Sequence, residues 1–286
     1  MTFHDHHFSS ARESGRAIVE ALGGIWRNDR GMCRCPAHGD RTPSLSVRLG
    51  RKRLLLHCFA GCETRAILDA LHALRLSGSA SWTPVEIDRS ADDRSREAAQ
   101  RLWSASQAGE GSPVARYLAA RGLAPTSALR FHPRTPLGQK PLTRFVPAMI
   151  ASVTDATGLI AVHRSFLSDD GCGLTNLELR RAALGRLGAG LVRLVPPAKR
   201  LGLAEGIETA LSASRLFDVP CWATLGTERF ARIDLPSCVE QIVLFLDHDA
   251  GGRRAERLAR ERFGERVIEA RYPPVEGDDW NDVLRR

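Results

Sequence analysis

The stretch that most constrains this chain is Gln241–Gly252, QIVLFLDHDAGG, read together with Leu201–Leu211, LGLAEGIETAL. Ile242 to Leu246 is an unbroken apolar run of strand formers, the pattern of a strand buried on both faces of a parallel sheet. It ends on Asp247, His248 and Asp249, then Gly251-Gly252 and a helical pattern over Arg253–Phe263. The earlier stretch repeats the plan, with a short apolar strand, Glu205, Gly206 and a helix from Ile207 to Phe217. Side chains alternate along a strand, so Asp247 and Asp249 are expected on one side and His248 on the other. Open parallel sheets place their chemistry beyond the carboxyl ends of the strands. Three acids then converge there with no basic partner beside them. Like charges raise one another's pKa unless a cation neutralises them, and an oxygen-only ligand set suits Mg²⁺ or Mn²⁺. The pattern predicts a divalent-metal site for phosphate chemistry. Helix capping is the competing account of Asp249, since Asp is a favoured N-cap. Capping explains neither Asp247 nor the matching acid at the neighbouring junction.

A length of 286 residues suggests two domains, and 43% hydrophobic with 26% charged residues is ordinary globular composition. The net charge is +8, and Lys52, Lys140 and Lys199 are the only lysines, so the basic side chains are almost all Arg. A basic balance suits a polyanion partner, because each neutralised phosphate releases counterions. The chain opens MTFHDHHFSS, with no secretory pattern, and has no apolar run of the ~20 residues that span a bilayer. The expectation is a cytoplasmic protein with no membrane partner.

Four of the seven cysteines, Cys33, Cys35, Cys58 and Cys62, fall in the first quarter, while Cys172, Cys221 and Cys238 are scattered. An odd count argues against a disulfide framework. Cys35-x2-His38, 19 intervening residues and Cys58-x3-Cys62 place two donor pairs beside turns. Four N/S donors fill a tetrahedral shell, so the pattern predicts a structural Zn²⁺ site. Cys33 and His57 are adjacent competitors. Between the pairs lies a predicted hairpin, Ser44–Arg48 and Leu54–His57, with the basic turn Gly50-Arg51-Lys52-Arg53. Trp26 and Phe59 read either as base-stacking or as core residues.

Glu205-Gly206 after one strand and Asp247-x-Asp249 after a later one resemble the toprim fold of topoisomerases and primases. The longer run LAEGIETALSAS…VPCWATLG…FLDHDAGGRRAERLA…GDDWNDVL resembles the toprim domains of primase-like proteins of phages, plasmids and other mobile elements. That resemblance implies an α/β fold, a toprim-type parallel sheet with covering helices, in which Glu205, Asp247 and Asp249 hold Mg²⁺. The trailing acids Asp278, Asp279 and Asp282 match the family's last acidic motif, with Asp279 a candidate further ligand and a solvated loop with a helix cap the alternative. CPAHGDRTPSLSV…LLLHCFAGC resembles the zinc ribbon at the amino end of primases, with three rather than two residues between the last cysteines. HRSFL, with Arg164, resembles a basic strand facing nucleotide or template phosphates; a solvated edge-strand arginine is the alternative. The expected organisation is a zinc-ribbon DNA-binding domain over 1–76, a linker over 77–95, the start of the catalytic region over 96–200 and a toprim domain over 201–286.

The resemblance implies a DNA primase that makes short RNA primers from NTPs on single-stranded DNA. Glu205, Asp247, Asp249 and Arg164 would be catalytic, and Arg41, Arg51, Lys52 and Arg53 would contact template phosphates. No P-loop motif is found, so a replicative helicase would be a separate chain. A toprim nuclease and a non-catalytic DNA-binding accessory protein are the alternatives. A topoisomerase would need a nucleophilic tyrosine, and only Tyr117 and Tyr272 are available.

Overall fold

The computed structural model describes residues 4–40, 43–50, 54–58, 62–76, 89–138, 143–177 and 179–286, with the side chains of 4–10 and 89–91 left aside. The chain divides into two compact units, 1–88 and 89–286.

The first unit starts with helix α1 (His4–Ala21), followed by β1 (Ile25–Arg27), β2 (Arg30–Cys33), β3 (Leu45–Leu49), β4 (Leu54–Cys58) and helix α2 (Thr64–Ala73). The strands form an antiparallel sheet in the order β1-β2-β3-β4. Ile18 and Val19 of α1 and Ile67 and Leu71 of α2 meet Trp26, Leu45, Val47 and Leu54 in one small core. Trp26 belongs to that core, because a Cβ on Gly15 would meet its ring at 2.6 Å. So small a core is marginal without a further staple.

The second unit opens with α3 (Arg89–Ser104), which begins inside the stretch read as a linker; residues 77–88 lie outside the described residues. Helix α3 stops at Ser104. Ser106 hydroxyl returns to Leu102 O at 2.7 Å, and β5 (Gln107–Ala108) turns away to pair with a strand. After α4 (Pro113–Ala119), β6 (Leu129–Leu137), β7 (Arg144–Asp155), β8 (Gly158–Phe166) and β9 (Arg181–Leu184) complete an antiparallel sheet in the order β5-β6-β7-β8-β9. The β7–β8 hairpin turns at Asp155–Gly158, with Gly158 at φ +105°.

The rest of the unit is β10 (Arg200–Ala204), α5 (Ile207–Phe217), β11 (Cys221–Ala223), β12 (Gln241–Phe245), α6 (Ala250–Phe263), β13 (Val267–Arg271) and α7 (Trp280–Arg285). Its four strands are all parallel, in the order β11-β10-β12-β13. Leu201, Leu203, Ile242 and Leu244 pack with Ala255, Ala259 and Phe263 of α6 on one face. Val243 and Phe245 face the other way, with Ile207, Ala210 and Ala213 of α5 and with Met149, Ala151 and Val153 of β7. The alternate residues of β7, Ala148 and Ile150, pack with Ala99 and Leu102 of α3. Both faces of each central strand are thus covered, which is why these strands read as continuous apolar runs. Among the described residues no helix is long and apolar enough to cross a membrane.

Candidate functional site

In the first unit, one donor atom from each of Cys35, His38, Cys58 and Cys62 lies within 4.8 Å of every other. His38 Nδ1 stands 3.2 Å from Cys62 Sγ and 3.9 Å from Cys58 Sγ. Cys58 is drawn toward the thiolate, chiefly by hydrogen bonds from Cys35 and Cys62. Three sulfurs and one imidazole nitrogen make a closed shell suited to structural Zn²⁺. Cys33 stands apart, its thiol donating to Leu45 O and pushed up to about 12 by burial. The sequence pattern did not single out Asp40. Its Oδ2 accepts from the Cys35 amide (2.6 Å) and the Ser44 amide (3.1 Å), and its Oδ1 lies 3.6 Å from His38 Nε2. A carboxylate behind a ligand histidine fixes the ring and raises its basicity.

Arg41, Arg51, Lys52, Arg53 and Phe59 lie outside the described residues. The described sheet of this unit offers a different basic feature. Arg27 pairs with Arg30 across β1 and β2, and Arg30 pairs with Arg48 across β2 and β3, all at exposed positions.

In the second unit β10 and β12 are direct neighbours, with Ala204 paired to Phe245, so Glu205 and Asp247 leave the sheet at the same edge. His248 lies beyond the end of β12, and its Nδ1 meets Pro273 O at 2.8 Å. Asp247 Oδ1 is buried without a hydrogen-bond partner. Burial first, then the charges of Glu205, Asp279, Asp249 and Asp282, push the Asp247 carboxyl up to about 7. Glu205 is also raised, mainly by burial and further by Asp249, while a hydrogen bond from the Thr227 hydroxyl works the other way. Among the described residues none of Glu205, Asp247 and Asp249 has an arginine or lysine ion-pair partner. Their oxygens do not converge as tightly as the cysteine–histidine quartet. A buried orphan oxygen amid mutually repelling carboxylates fits a hard divalent cation with oxygen ligands.

Asp249 does cap α6, accepting from the Gly252 amide through Oδ1 at 2.8 Å. Its second oxygen makes no hydrogen bond among those described, so capping and ligation are compatible. A Cβ on Gly252 would stand 2.0 Å from the Asp247 carbonyl oxygen, a backbone atom that cannot step aside. Gly→Ala inside a helix ordinarily stabilises by roughly 0.5–1 kcal/mol, whereas overpacking costs typically about 1–3 kcal/mol. The collision wins here. Gly252→Ala should lower the melting temperature and weaken Mn²⁺ binding, as calorimetry would show; a more stable variant with unaltered Mn²⁺ affinity would contradict this geometry.

Asp279 and Asp282 form a capping box on α7: Asp279 Oδ1 accepts from the Asn281 and Asp282 amides, and Asp282 Oδ2 accepts from the Asp279 amide. Trp280 packs edge-on against Phe217 and Phe245, and Asn281 donates to Arg121 O and Ser212 Oγ. The trailing acidic motif therefore anchors α7, and its carboxylates reach Asp247 as charges.

Arg164 lies on an inner strand, flanked by β7 and β9, so it is not an edge residue. It pairs with Ile150, on the α3 side of the sheet, and donates to Pro136 O, Ala182 O and Ala183 O. These carbonyls occupy its guanidinium, which burial pulls down to about 10. The residue aimed at the toprim side is its neighbour His163, paired with Ala151. Burial, then Arg181, pull His163 down to about 4. Nearby, Tyr117 and Arg181 both donate to Glu208 Oε1, at 2.5 and 3.0 Å, beside the first turn of α5. Tyr117 is fully buried and its hydroxyl is raised by burial, so it is no exposed nucleophile.

An α/β unit with acids at the carboxyl edge of a four-stranded parallel sheet, in a chain that also carries a Cys₃His cluster, defines the class: a toprim-type fold preceded by a zinc-ribbon-type unit. Residues 200–286 match the Toprim domain family, and residues 93–194 match a domain of unknown function (DUF7146). The chain therefore carries a Toprim domain. No curated protein matches it. Among solved structures it is similar to the Aquifex aeolicus primase, zinc-binding and RNA polymerase domains, at 18% identity over 98% of this chain and 82% of that one, with a TM-score of 0.47. It is also similar to a DNA primase domain from Pseudomonas aeruginosa, at 16% identity over 67% and 74% and a TM-score of 0.47. The DnaG catalytic core is matched at 16% identity over 68% and 75%, with a TM-score of 0.49.

Proposed function

We propose that the chain is a DNA primase, joining ribonucleotides into short primers on a single-stranded DNA template. The observation that carries this reading is the orphan buried Asp247 oxygen among Glu205 and Asp249 in a Toprim domain, on a chain that also holds a Cys₃His quartet. Glu205, Asp247 and Asp249 would hold Mg²⁺ or Mn²⁺. When bound, such ions activate the attacking 3′-hydroxyl and steady the departing pyrophosphate. In the reaction the 3′-hydroxyl loses its proton to solvent, its oxygen bonds to the α-phosphorus of an NTP, and the bond from that phosphorus to the oxygen bridging to the β-phosphate breaks, so that pyrophosphate leaves. Asp247 must release its proton to serve, so the site favours neutral to basic pH. Arg164 has a structural part here, holding β9 and the end of β6 to β8.

Cys35, His38, Cys58 and Cys62 would hold one structural Zn²⁺, and the Arg27–Arg30–Arg48 row would grip template phosphates. NTPs and single-stranded DNA are the substrates on this reading, and a separate replicative helicase would be the partner. Incubation with single-stranded DNA, Mg²⁺ and labelled NTPs should yield short RNA products. DNA fragments would favour a toprim nuclease instead, and neither product on varied templates would favour a DNA-binding accessory role.

A further inference from the structure

Strand β11 stays zipped to β10 beyond its own end. Thr224 N donates to Ala204 O and Leu225 N to Glu205 O, each at 2.9 Å. The backbone then enters two unusual conformations in succession, Leu225 at φ +67° and Gly226 at φ +143°. A left-handed aliphatic residue followed by a glycine-only conformation is strain that persists where the surroundings enforce it. Here the enforcement is visible. Arg229, 2% exposed, donates to Thr224 O and to Leu187 O, Gly188 O and Gly190 O, so the glycine-rich loop before β10 clamps the turn. The residue this turn delivers is Thr227, whose hydroxyl donates to Glu205 Oε2 at 2.7 Å.

On the other side of Thr227 stands the second acid junction. A Cβ on Gly251 would lie 3.1 Å from Asp249 Oδ1 and 3.5 Å from Thr227 Oγ1, so both oxygens border the space that this glycine leaves clear. Next to Thr227, Glu228 is clamped by Arg254 of α6, with Arg254 Nη2 to Glu228 Oε2 at 3.0 Å. Thr227 is thus held from both junctions, and it engages one of the two Glu205 oxygens.

We propose that Thr227 is a positioning residue: its hydroxyl holds Glu205 Oε2, so that Glu205 presents Oε1 to the cation in a fixed orientation. This rests on the metal-site reading above and adds to it the device that orients one ligand. Partners that orient metal ligands are typically worth about 10–100-fold in metal affinity.

The test is Mn²⁺ binding to the full chain, by electron paramagnetic resonance or calorimetry, for Thr227→Val, Thr227→Ser and Glu205→Gln. Thr227→Val keeps the shape and loses the hydroxyl, and should weaken Mn²⁺ binding about 10–100-fold with an unaltered melting temperature in EDTA. Thr227→Ser should stay within about threefold of the parent, because the donor is retained. Should Thr227→Val fail to fold, Thr227→Ala takes its place in the comparison. If Glu205→Gln weakens Mn²⁺ binding and the valine or alanine variant does not, the positioning role is overturned while the metal site stands. Equal losses in the serine and valine variants would overturn it too, pointing to methyl packing. An unaltered Glu205→Gln would overturn both this role and the metal site.

Discussion

Asp247→Asn should abolish Mg²⁺-dependent primer synthesis, by about a thousandfold or more (about 4 kcal/mol of barrier), while the metal-free protein becomes more stable above neutral pH. The two halves of that result have one cause. In the folded chain the Asp247 carboxyl is held up to about 7 by burial and by its acidic neighbours, against about 3.9 for an unfolded aspartate. Between those values the folded state binds more protons than the unfolded state, so this group makes stability fall as pH rises from about 4 through about 7. Asn carries no such proton and adds no such slope. Melting temperatures in EDTA should therefore show the variant near the parent at low pH and above it beyond pH 7. A variant that is inactive and also unstable at pH 8 would mark Asp247 as structural.

Removing the first unit's zinc ligands should have an effect of comparable size on folding. If the four converging donors hold zinc, its binding would supply much of the folding energy of a unit whose core is as small as Ile18, Val19, Leu45, Val47, Ile67 and Leu71. Structural zinc contributes roughly 10–16 kcal/mol in small domains, as much as the whole stability of an ordinary one. The expected stoichiometry is one zinc per chain. Cys35→Ser with Cys58→Ser should lose it and leave residues 1–88 open to proteolysis, while 89–286 melts as before. Full zinc content in the double variant would contradict the quartet.

What could be read from the sequence was what local pattern encodes. The apolar run before Asp247 and the shorter one before Glu205 specify buried parallel strands, and βα junctions specify the edge where their acids emerge. Donor pairs spaced by two and three residues specify the knuckles. What could not be read depends on pairing and face. Thr227 lies 22 residues after Glu205 and reaches it only because β11 pairs with β10 and the chain then turns through Leu225 and Gly226. Asp40 holds the ribbon through backbone amides that no spacing rule describes. Arg164 and His163 exchange faces on a difference of one residue in a strand, which only the pairing with Ile150 and Ala151 resolves. Asp279 and Asp282, read beside a metal motif, find their closest partners in the amides of α7.

Among the acids at this sheet edge, Asp249 is the one that separates a metal ligand from a helix cap. Asn caps a helix nearly as well as Asp, so Asp249→Asn keeps the bond to the Gly252 amide and removes the charge. The measurement is Mg²⁺-dependent synthesis of labelled primers on single-stranded DNA, with the melting temperature in EDTA taken beside it. The expected result is an unaltered melting temperature and loss of primer synthesis by about a thousandfold. Full primer synthesis by the variant would show that Asp249 is a cap alone and that the metal site is wrongly assigned.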